Sequence, residues 1–413
     1  MAGDMLLKKP ELLVPAGSLE VLKTAVVFGA DAVYIGGEVF SLRAKAKNFD
    51  AEQMREGIDF AHEHGAKVYV TANVTAHNRD LEGVRKYFTE LKEIKPDGLI
   101  ISDPGVFDIA REVCPEIEVH ISTQANNVNY GTYRFWHRLG ASRVVSGREL
   151  TLAEIRELRD NIPEELEIES FVHGAMCISY SGRCLLSAYM TGRDANLGAC
   201  THPCRWKYYL MEEKRPGEYF PVVENDRGTY IFNSKDLCMI EYIPELVAAG
   251  INSFKIEGRM KPALYVAVVA GVYREAIDDY FTDPALYEQK KSYYKEAISK
   301  CSHRQFYTGF YFGRPETEGQ LYDGNVYERE AVYLGIIESV DENGYCAMEQ
   351  KNKFAVGEQL EILHPHATAQ NVTVLDMLDE EGNHIESCPH AKQRIKVLFS
   401  KEPVPYDLLR RPE

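Results

Sequence analysis

Eight times along the first two-thirds of the chain, a short β-rich run is followed by a longer segment of helical character, and this alternation limits the fold more than any other feature. A strand reaches a parallel neighbour only through a long crossover, so strand–helix repeats predict a parallel sheet covered by helices. The runs are Glu11–Gly17 (ELLVPAG), Ala32–Gly37 (AVYIGG), Lys67–Val74 (KVYVTANV), Gly98–Gly105 (GLIISDPG), Glu118–Asn126 (EVHISTQAN), Arg143–Glu149 (RVVSGRE), Glu167–His173 (EIESFVH) and Ser253–Arg259 (SFKIEGR). Between them lie amphipathic segments such as Leu19–Gly29, Ala51–Gly65, Asp80–Ile94 and Leu152–Asn161, opened by a capping residue or ended by Gly or Pro. Eight units over about 280 residues match the scale of a TIM-type (β/α)8 barrel, expected over residues 1–285. An open doubly wound sheet is the alternative architecture.

The rhythm breaks from Cys177 to Lys235, an insertion between the seventh run and a helix expected over Asp236–Ala249. Barrels of this kind place their chemistry on that face, at the C-terminal ends of the strands. A helix over Pro262–Tyr280 and a charged helix over Leu286–Cys301 come next, and a Gly- and Tyr-rich stretch runs to about Glu328, so residues 286–330 are expected to form a helical connector. From Ala331 short alternating runs (AVYLGIIESV, GYCAMEQ, GEQLEIL, VTVLDML, QRIKVLF) separated by DENG and DEEGN predict a small antiparallel β domain over 331–413.

A net charge of −16 argues against broad attraction to nucleic acid, whose non-specific binding depends on neutralising phosphates. A local basic cluster such as Arg193, Arg205 and Lys207 is still able to guide RNA. No stretch approaches the roughly 18 uncharged apolar residues of a membrane span, and the N-terminal residues lack a cleavable signal pattern. A cytoplasmic protein with no membrane partner is expected. The chain has no HExxH helix, GxSxG elbow, Walker A loop or GxGxxG turn.

Alternate residues of a strand share a face, which groups Lys255, Glu257 and Arg259 in the eighth run, His120, Ser122 and Gln124 in the fifth, and Glu169, Phe171 and His173 in the seventh. Asn73 ends the third run, and Arg148 or Glu149 ends the sixth. At the catalytic end of a barrel, Arg148, Lys255 and Arg259 would clamp a carboxylate-bearing small molecule, with Gln124 and Asn73 as further binding groups. His173, His120, Glu169 and Glu257 are the acid/base candidates. The competing expectation is that Lys255, Glu257, Arg259 and Glu169 form a structural ion-pair layer plugging the barrel, because buried charges require partners.

Nine cysteines, an odd number in a chain without export signals, argue against a disulfide framework. Cys177, Cys184, Cys200 and Cys204 lie within about thirty residues and Cys238 follows at the start of the expected next helix. Their C-x6-C, C-x15-C and C-x3-C spacings match neither zinc ribbons nor the bacterial ferredoxin run, leaving iron–sulfur, zinc and buried free thiols as the readings. Cys114, Cys301, Cys346 and Cys388 are isolated and expected to pack.

The segment ESFVHGAMCISYSGRCLLS closely resembles the signature of the peptidase U32, or collagenase-like, family. ELLVPAGSLEVLKTAVVFGADAVYIGG, HISTQANN, NSKDLCMIEYIPELVAAG and FKIEGRMKPALYVAVVAGVYREAID resemble its other blocks, so the similarity spans almost the whole chain. The long form with an added C-terminal domain is similar to bacterial tRNA hydroxylation proteins. That resemblance implies 5-hydroxyuridine formation at the tRNA wobble position, oxygen-independent and linked to prephenate. It also implies a 4Fe–4S cluster on Cys177, Cys184, Cys200 and Cys238, with Cys204 as an alternative ligand and zinc as an alternative metal after exposure to air. Prephenate, a dicarboxylate, would suit Arg148, Lys255 and Arg259. A second U32-family subunit is a possible partner, and the β domain is expected to help hold tRNA or that subunit. A collagenase-like peptidase and a metal-stabilised RNA-binding scaffold are the competing functions.

Overall fold

The computed structural model describes residues 8–37, 40, 48–177, 184–193, 195, 200–201, 203, 223–225, 228–230, 235–314, 331–365, 369–390 and 392–412. All eight expected runs form strands, each shorter than its apolar pattern except the seventh. They are β1 (Glu11–Pro15), β2 (Ala32–Gly36), β3 (Lys67–Ala72), β4 (Gly98–Ile101), β5 (Glu118–Ile121), β6 (Arg143–Val145), β7 (Glu167–Ala175) and, after the short strand β8 (Asp236–Cys238), β9 (Ser253–Ile256). Neighbours pair in parallel from β1 to β7, and β9 pairs in parallel with both β7 and β1, which closes the barrel. The open doubly wound alternative is thereby excluded.

Strand parity sorts the side chains as expected for a closed barrel. Leu12, Val14, Val33, Ile35, Val68 and Val70 join the large core beneath the helices, while Leu13, Ala32, Tyr34, Tyr69 and Ile100 form a separate small cluster inside the barrel. The helices begin where the sequence supplies side-chain acceptors. Ser18 caps α1 (Leu19–Val27), Asp50 caps α2 (Ala51–Glu63), and Thr151 with Glu154 forms a capping box on Leu152–Asp160. Two glycines let loops approach the strand ends. A Cβ on Gly17 would lie 2.2 Å from the Arg259 carbonyl oxygen, and Gly174, at φ +110°, packs its Cα against Glu257.

The expected helix over Asp236–Ala249 is corrected. Asp236–Cys238 is strand β8, antiparallel to β7 with Cys238 opposite His173, and only Ile243–Ala248 forms an α-helix. Cys238 is therefore held in a sheet. The connector is more than helical. After the long helix α3 (Ala263–Thr282) and its partner Pro284–Ser299, residues Phe306–Tyr307 form β10, parallel to β8. Tyr311 donates to the Phe171 carbonyl at 2.5 Å, so this segment straps the mouth of β7.

The C-terminal residues form a seven-stranded antiparallel sheet. Its strands include all five expected runs and one that the sequence reading missed, Leu408–Pro412, which pairs with both Ala331–Ile336 and Gln359–Leu363. Ile336 and Leu408 join the barrel core, and Lys351 bonds Glu20 of α1 at 3.0 Å, docking the sheet on the barrel.

Candidate active site at the barrel mouth

The barrel interior holds two polar groups at different heights. The lower one is built from residues that open strands: Glu11, Arg143 and Glu167, with Ser253 opposite Glu11. Arg143, 5% exposed in its side chain, bonds Glu11 at 2.5 Å, Glu167 at 2.5 Å and Glu169 at 3.3 Å. Tyr69 and Ser253 also donate to Glu11, at 2.7 and 2.8 Å. Burial alone would raise the Glu11 carboxyl, but the Arg143 charge and these donors overcome it and hold the group at about 2. A polar cavity of about 260 Å³ opens here, lined by Lys8, Lys67, Glu118, Glu165 and Glu167 around Arg143. It lies at the N-terminal ends of the strands, away from the face where barrels carry chemistry.

Glu169 and His120 belong to this lower group. Glu169 is fully buried between Arg143 and Lys255, whose Nζ lies 2.6 Å from it. His120 stacks edge-on against Tyr69, 4.6 Å between centroids, and the Glu118 carboxylate approaches its Nε2 to 3.5 Å without hydrogen-bond geometry. Burial, aided by Arg143, lowers the His120 imidazole below its ordinary value and keeps it neutral. An ion-pair plug is present, but it is built on Glu11, Arg143, Glu167, Glu169 and Lys255, and of the four residues expected in it only Lys255 and Glu169 take part; neutral His120 packs beside it.

Lys255 links this plug to an upper group. Its ammonium sits 4.3 Å from the Tyr34 ring and 5.5 Å from the Phe171 ring, and the Arg148 guanidinium covers Phe171 at 4.0 Å. Arg148 also donates to the Ala175 carbonyl at 2.8 Å. Glu257 and Arg259 lie beyond the end of β9 rather than on it. Tyr34 donates to Glu257 at 3.1 Å, and Arg259, 5% exposed, donates to Thr71 at 2.8 Å. The structure thus gathers Arg148, Lys255, Glu257 and Arg259 around Tyr34, Phe171 and Thr71 at the C-terminal ends of β2, β3, β6, β7 and β9. Asn73 and Gln124 are half-buried in the loops following β3 and β5, where Gln124 forms part of a 3-10 turn, Thr123–Ala125. Two cations over aromatic faces and a third bonded to a buried hydroxyl suit a small anion, above all a carboxylate.

His173 departs from the expected grouping with Phe171. A register irregularity between Lys255 and Ile256 breaks the alternation opposite it, and its ring packs against Tyr265 and Tyr273 of α3 and against Phe306. Burial pushes the imidazole down to about 3. The sequence reading omitted Arg143, Tyr34 and Thr71 and left Glu149 out of the site. Glu149 is half-buried beside Arg148, and burial raises its carboxyl above the ordinary range.

Cys177 is exposed two residues beyond β7, Cys184 and Cys200 are half-buried on either side of the short helix Leu186–Thr191, and Cys238 is buried in β8. Cys204 lies outside the described residues. Thiolates are the right donors for an iron–sulfur cluster or zinc, but Cys238 pairs opposite His173 at the end of β8 farther from Cys177, which follows the Ala175 end of β7. Among the described residues, however, no three His, Cys, Asp or Glu converge on a metal-sized space. Burial raises the Cys238 thiol to about 12. No helix among the described residues is long and apolar enough to cross a membrane.

Known proteins place this architecture. The model of peptidase family U32 matches residues 17–321, and that of the peptidase family U32 C-terminal domain matches residues 329–410. The chain is 40% identical over 405 residues to tRNA hydroxylation protein P1 of Bacillus subtilis, covering 98% of this chain and 95% of the relative. It is 37% identical over 440 residues to tRNA hydroxylation protein P of Escherichia coli, covering 97% and 95%. A 23S rRNA 5-hydroxycytidine synthase of Escherichia coli is 34% identical over 315 residues, 76% of this chain and 44% of the relative. The chain belongs to peptidase family U32 and carries that family's C-terminal domain.

Proposed function

We propose that this protein is an RNA-modifying hydroxylase that forms 5-hydroxyuridine at the wobble position of tRNA. The observation that carries the reading is the 40% identity, over 98% of the chain, to a protein named for tRNA hydroxylation. The relative named for 5-hydroxycytidine in rRNA supports the same class of pyrimidine chemistry. The protein would act in the cytoplasm, and a second U32-family subunit belongs to the proposal as a partner.

The small-molecule ligand in this reading is prephenate or a similar carboxylate. Arg148, Lys255 and Arg259 would bind its carboxylates, with Asn73 and Gln124 at the rim. Tyr34 donates to Glu257, whose carboxylate would accept a proton at the mouth. A 4Fe–4S cluster on Cys177, Cys184, Cys200 and Cys238, or with Cys204 replacing one of them, would supply electron transfer when bound. Among the described residues these thiols do not converge.

Charge argues against a cysteine peptidase. Such an enzyme would need Cys177 beside an imidazolium, whereas burial lowers His173 to about 3 and leaves it neutral. The test is mass-spectrometric nucleoside analysis of tRNA from a strain lacking the gene, complemented with wild type or Cys177→Ala. Hydroxyuridine should vanish, return with wild type and stay absent with the variant. Persistence in the deletion strain refutes the assignment. Rescue by a variant that binds RNA without metal favours the scaffold. Protein purified without air should hold iron and sulfide in about equal amounts, and zinc without sulfide would make the thiols a zinc site.

A further inference from the structure

The segment that follows β7 departs from the rest of the chain in charge. Residues 177–211 carry four basic side chains (Arg183, Arg193, Arg205, Lys207) and one acidic (Asp194), in a protein of net charge −16. The basic residues alternate with Tyr180, Tyr189, Trp206, Tyr208 and Tyr209, a pattern that combines phosphate attraction with flat faces for bases. Where this segment is described, it exposes three large apolar side chains. Leu185 is 65% exposed, Tyr189 is 86% exposed and Met190 is 40% exposed. Leu185 and Tyr189 are four residues apart, on one side of the helix Leu186–Thr191.

The opposite side is anchored. Ser187 is fully buried, donates to or accepts from the Thr201 hydroxyl at 3.1 Å, and accepts the Thr201 backbone N–H at 3.0 Å. Thr191 binds the Ser187 carbonyl at 2.8 Å. A helix fixed by buried hydroxyls therefore holds an almost fully exposed phenol ring outward. Gly192, at φ +66°, ends the helix, and exposed Arg193 follows directly. A ring 86% exposed packs little against the described residues, and its amphipathic body suits a partner with a flat face and a polar edge.

We infer that Tyr189, flanked by Leu185 and Arg193, is the platform on which an unpaired base of the RNA substrate stacks. The inference rests on the RNA-modifying reading and adds a contact to it. Exposed Arg193 next to the helix, and the basic excess of the surrounding sequence, select a nucleic acid over an apolar protein surface, and the exposed ring selects an unpaired base over a duplex, whose bases present no free face. Stacking of this kind tolerates any base, so Tyr189 contributes affinity for a single-stranded loop, while the choice of uridine is left to the barrel mouth.

The test is fluorescence-anisotropy binding of the full chain to an RNA hairpin with a uridine-containing loop and to a blunt duplex of the same stem. Tyr189→Ala should weaken loop binding roughly 5- to 150-fold, the span of one base–aromatic stack, and leave duplex binding unchanged. Tyr189→Phe should bind like wild type. Equal loop binding by Tyr189→Ala, with an unchanged circular dichroism spectrum and melting temperature, overturns the inference and leaves the RNA reading intact. Wild type that binds neither RNA overturns both. A wild-type dimer that Tyr189→Ala converts to monomer in light scattering overturns the inference in favour of a contact between copies.

Discussion

Replacing Arg143 by Met tests whether the lower polar layer is structural. The substitution keeps an unbranched side chain of similar length and removes the charge that serves Glu11, Glu167 and Glu169. A Glu11 carboxyl held at about 2 rather than 4.5 corresponds to about 3 kcal/mol of preference for its charged form, at about 1.4 kcal/mol per pH unit. Glu169, fully buried, would keep Lys255 as an ion-pair partner. Breaking one side of a buried ion pair costs about 3–5 kcal/mol, so a loss in that range is expected at neutral pH. Because Glu11 titrates lower in the folded state, its stabilisation is complete above about 4.5 and is lost as pH falls toward 2. The difference between wild type and variant should therefore be widest near neutrality and narrow below about pH 4.5. Urea unfolding followed by fluorescence reads this, with Trp136, 4% exposed in the barrel wall, as a reporter. Adding Glu11→Gln should recover part of the loss, since the two residues couple directly. A loss under about 1 kcal/mol, or one independent of pH, would refute the reasoning.

Arg259→Ala should weaken prephenate binding by roughly tenfold or more, the value of a charge-assisted pair, without changing iron content; calorimetry and metal analysis check both. Unchanged binding removes Arg259 from the site. Arg304 is fully buried and grips Asp236 through its backbone N–H at 3.0 Å and its guanidinium at 2.6 and 2.9 Å. Arg304→Ala should cost about 3–5 kcal/mol and speed iodoacetamide labelling of Cys238, two residues from Asp236. Unaltered labelling would show that the strap does not hold β8.

The barrel was legible because its apolar runs are long and regularly spaced, and the errors lie where polar residues decide the outcome. Most strands end before the apolar run does, because Ser122 caps a 3-10 turn and Asp103 caps the helix starting at Pro104. Asp236–Cys238 resembled a helix start because Asp precedes apolar residues. It becomes a strand because Arg304 binds the Asp236 side chain and Gln305 accepts its backbone N–H, which removes Asp236 from capping. Leu408–Pro412 was hidden by two arginines, yet Arg410 pairs with Glu361 and Arg411 with Glu358 across the sheet. In the site, Lys255, Arg148 and Arg259 followed from parity and from charges at run ends. Arg143 was overlooked although Glu11, Arg143 and Glu167 each open a strand, a coincidence visible in the sequence. The placement of His173 was not legible, because a bulge breaks the parity on which the argument relied.

Closure of the barrel joins Glu11 to Ser253, 242 residues apart in the chain. During synthesis the first seven strands must therefore wait, as an open sheet with two unpaired edges, until β9 has emerged. The inner face of that sheet carries Glu11, His120, Arg143 and Glu169 among its apolar residues, so water wets the future lumen while the helices already cover the other face. A wholly apolar lumen would instead offer each nascent chain a surface to its neighbour on the same message. The charged plug that fixes the finished barrel thus also keeps the inner face of the unclosed sheet from being wholly apolar.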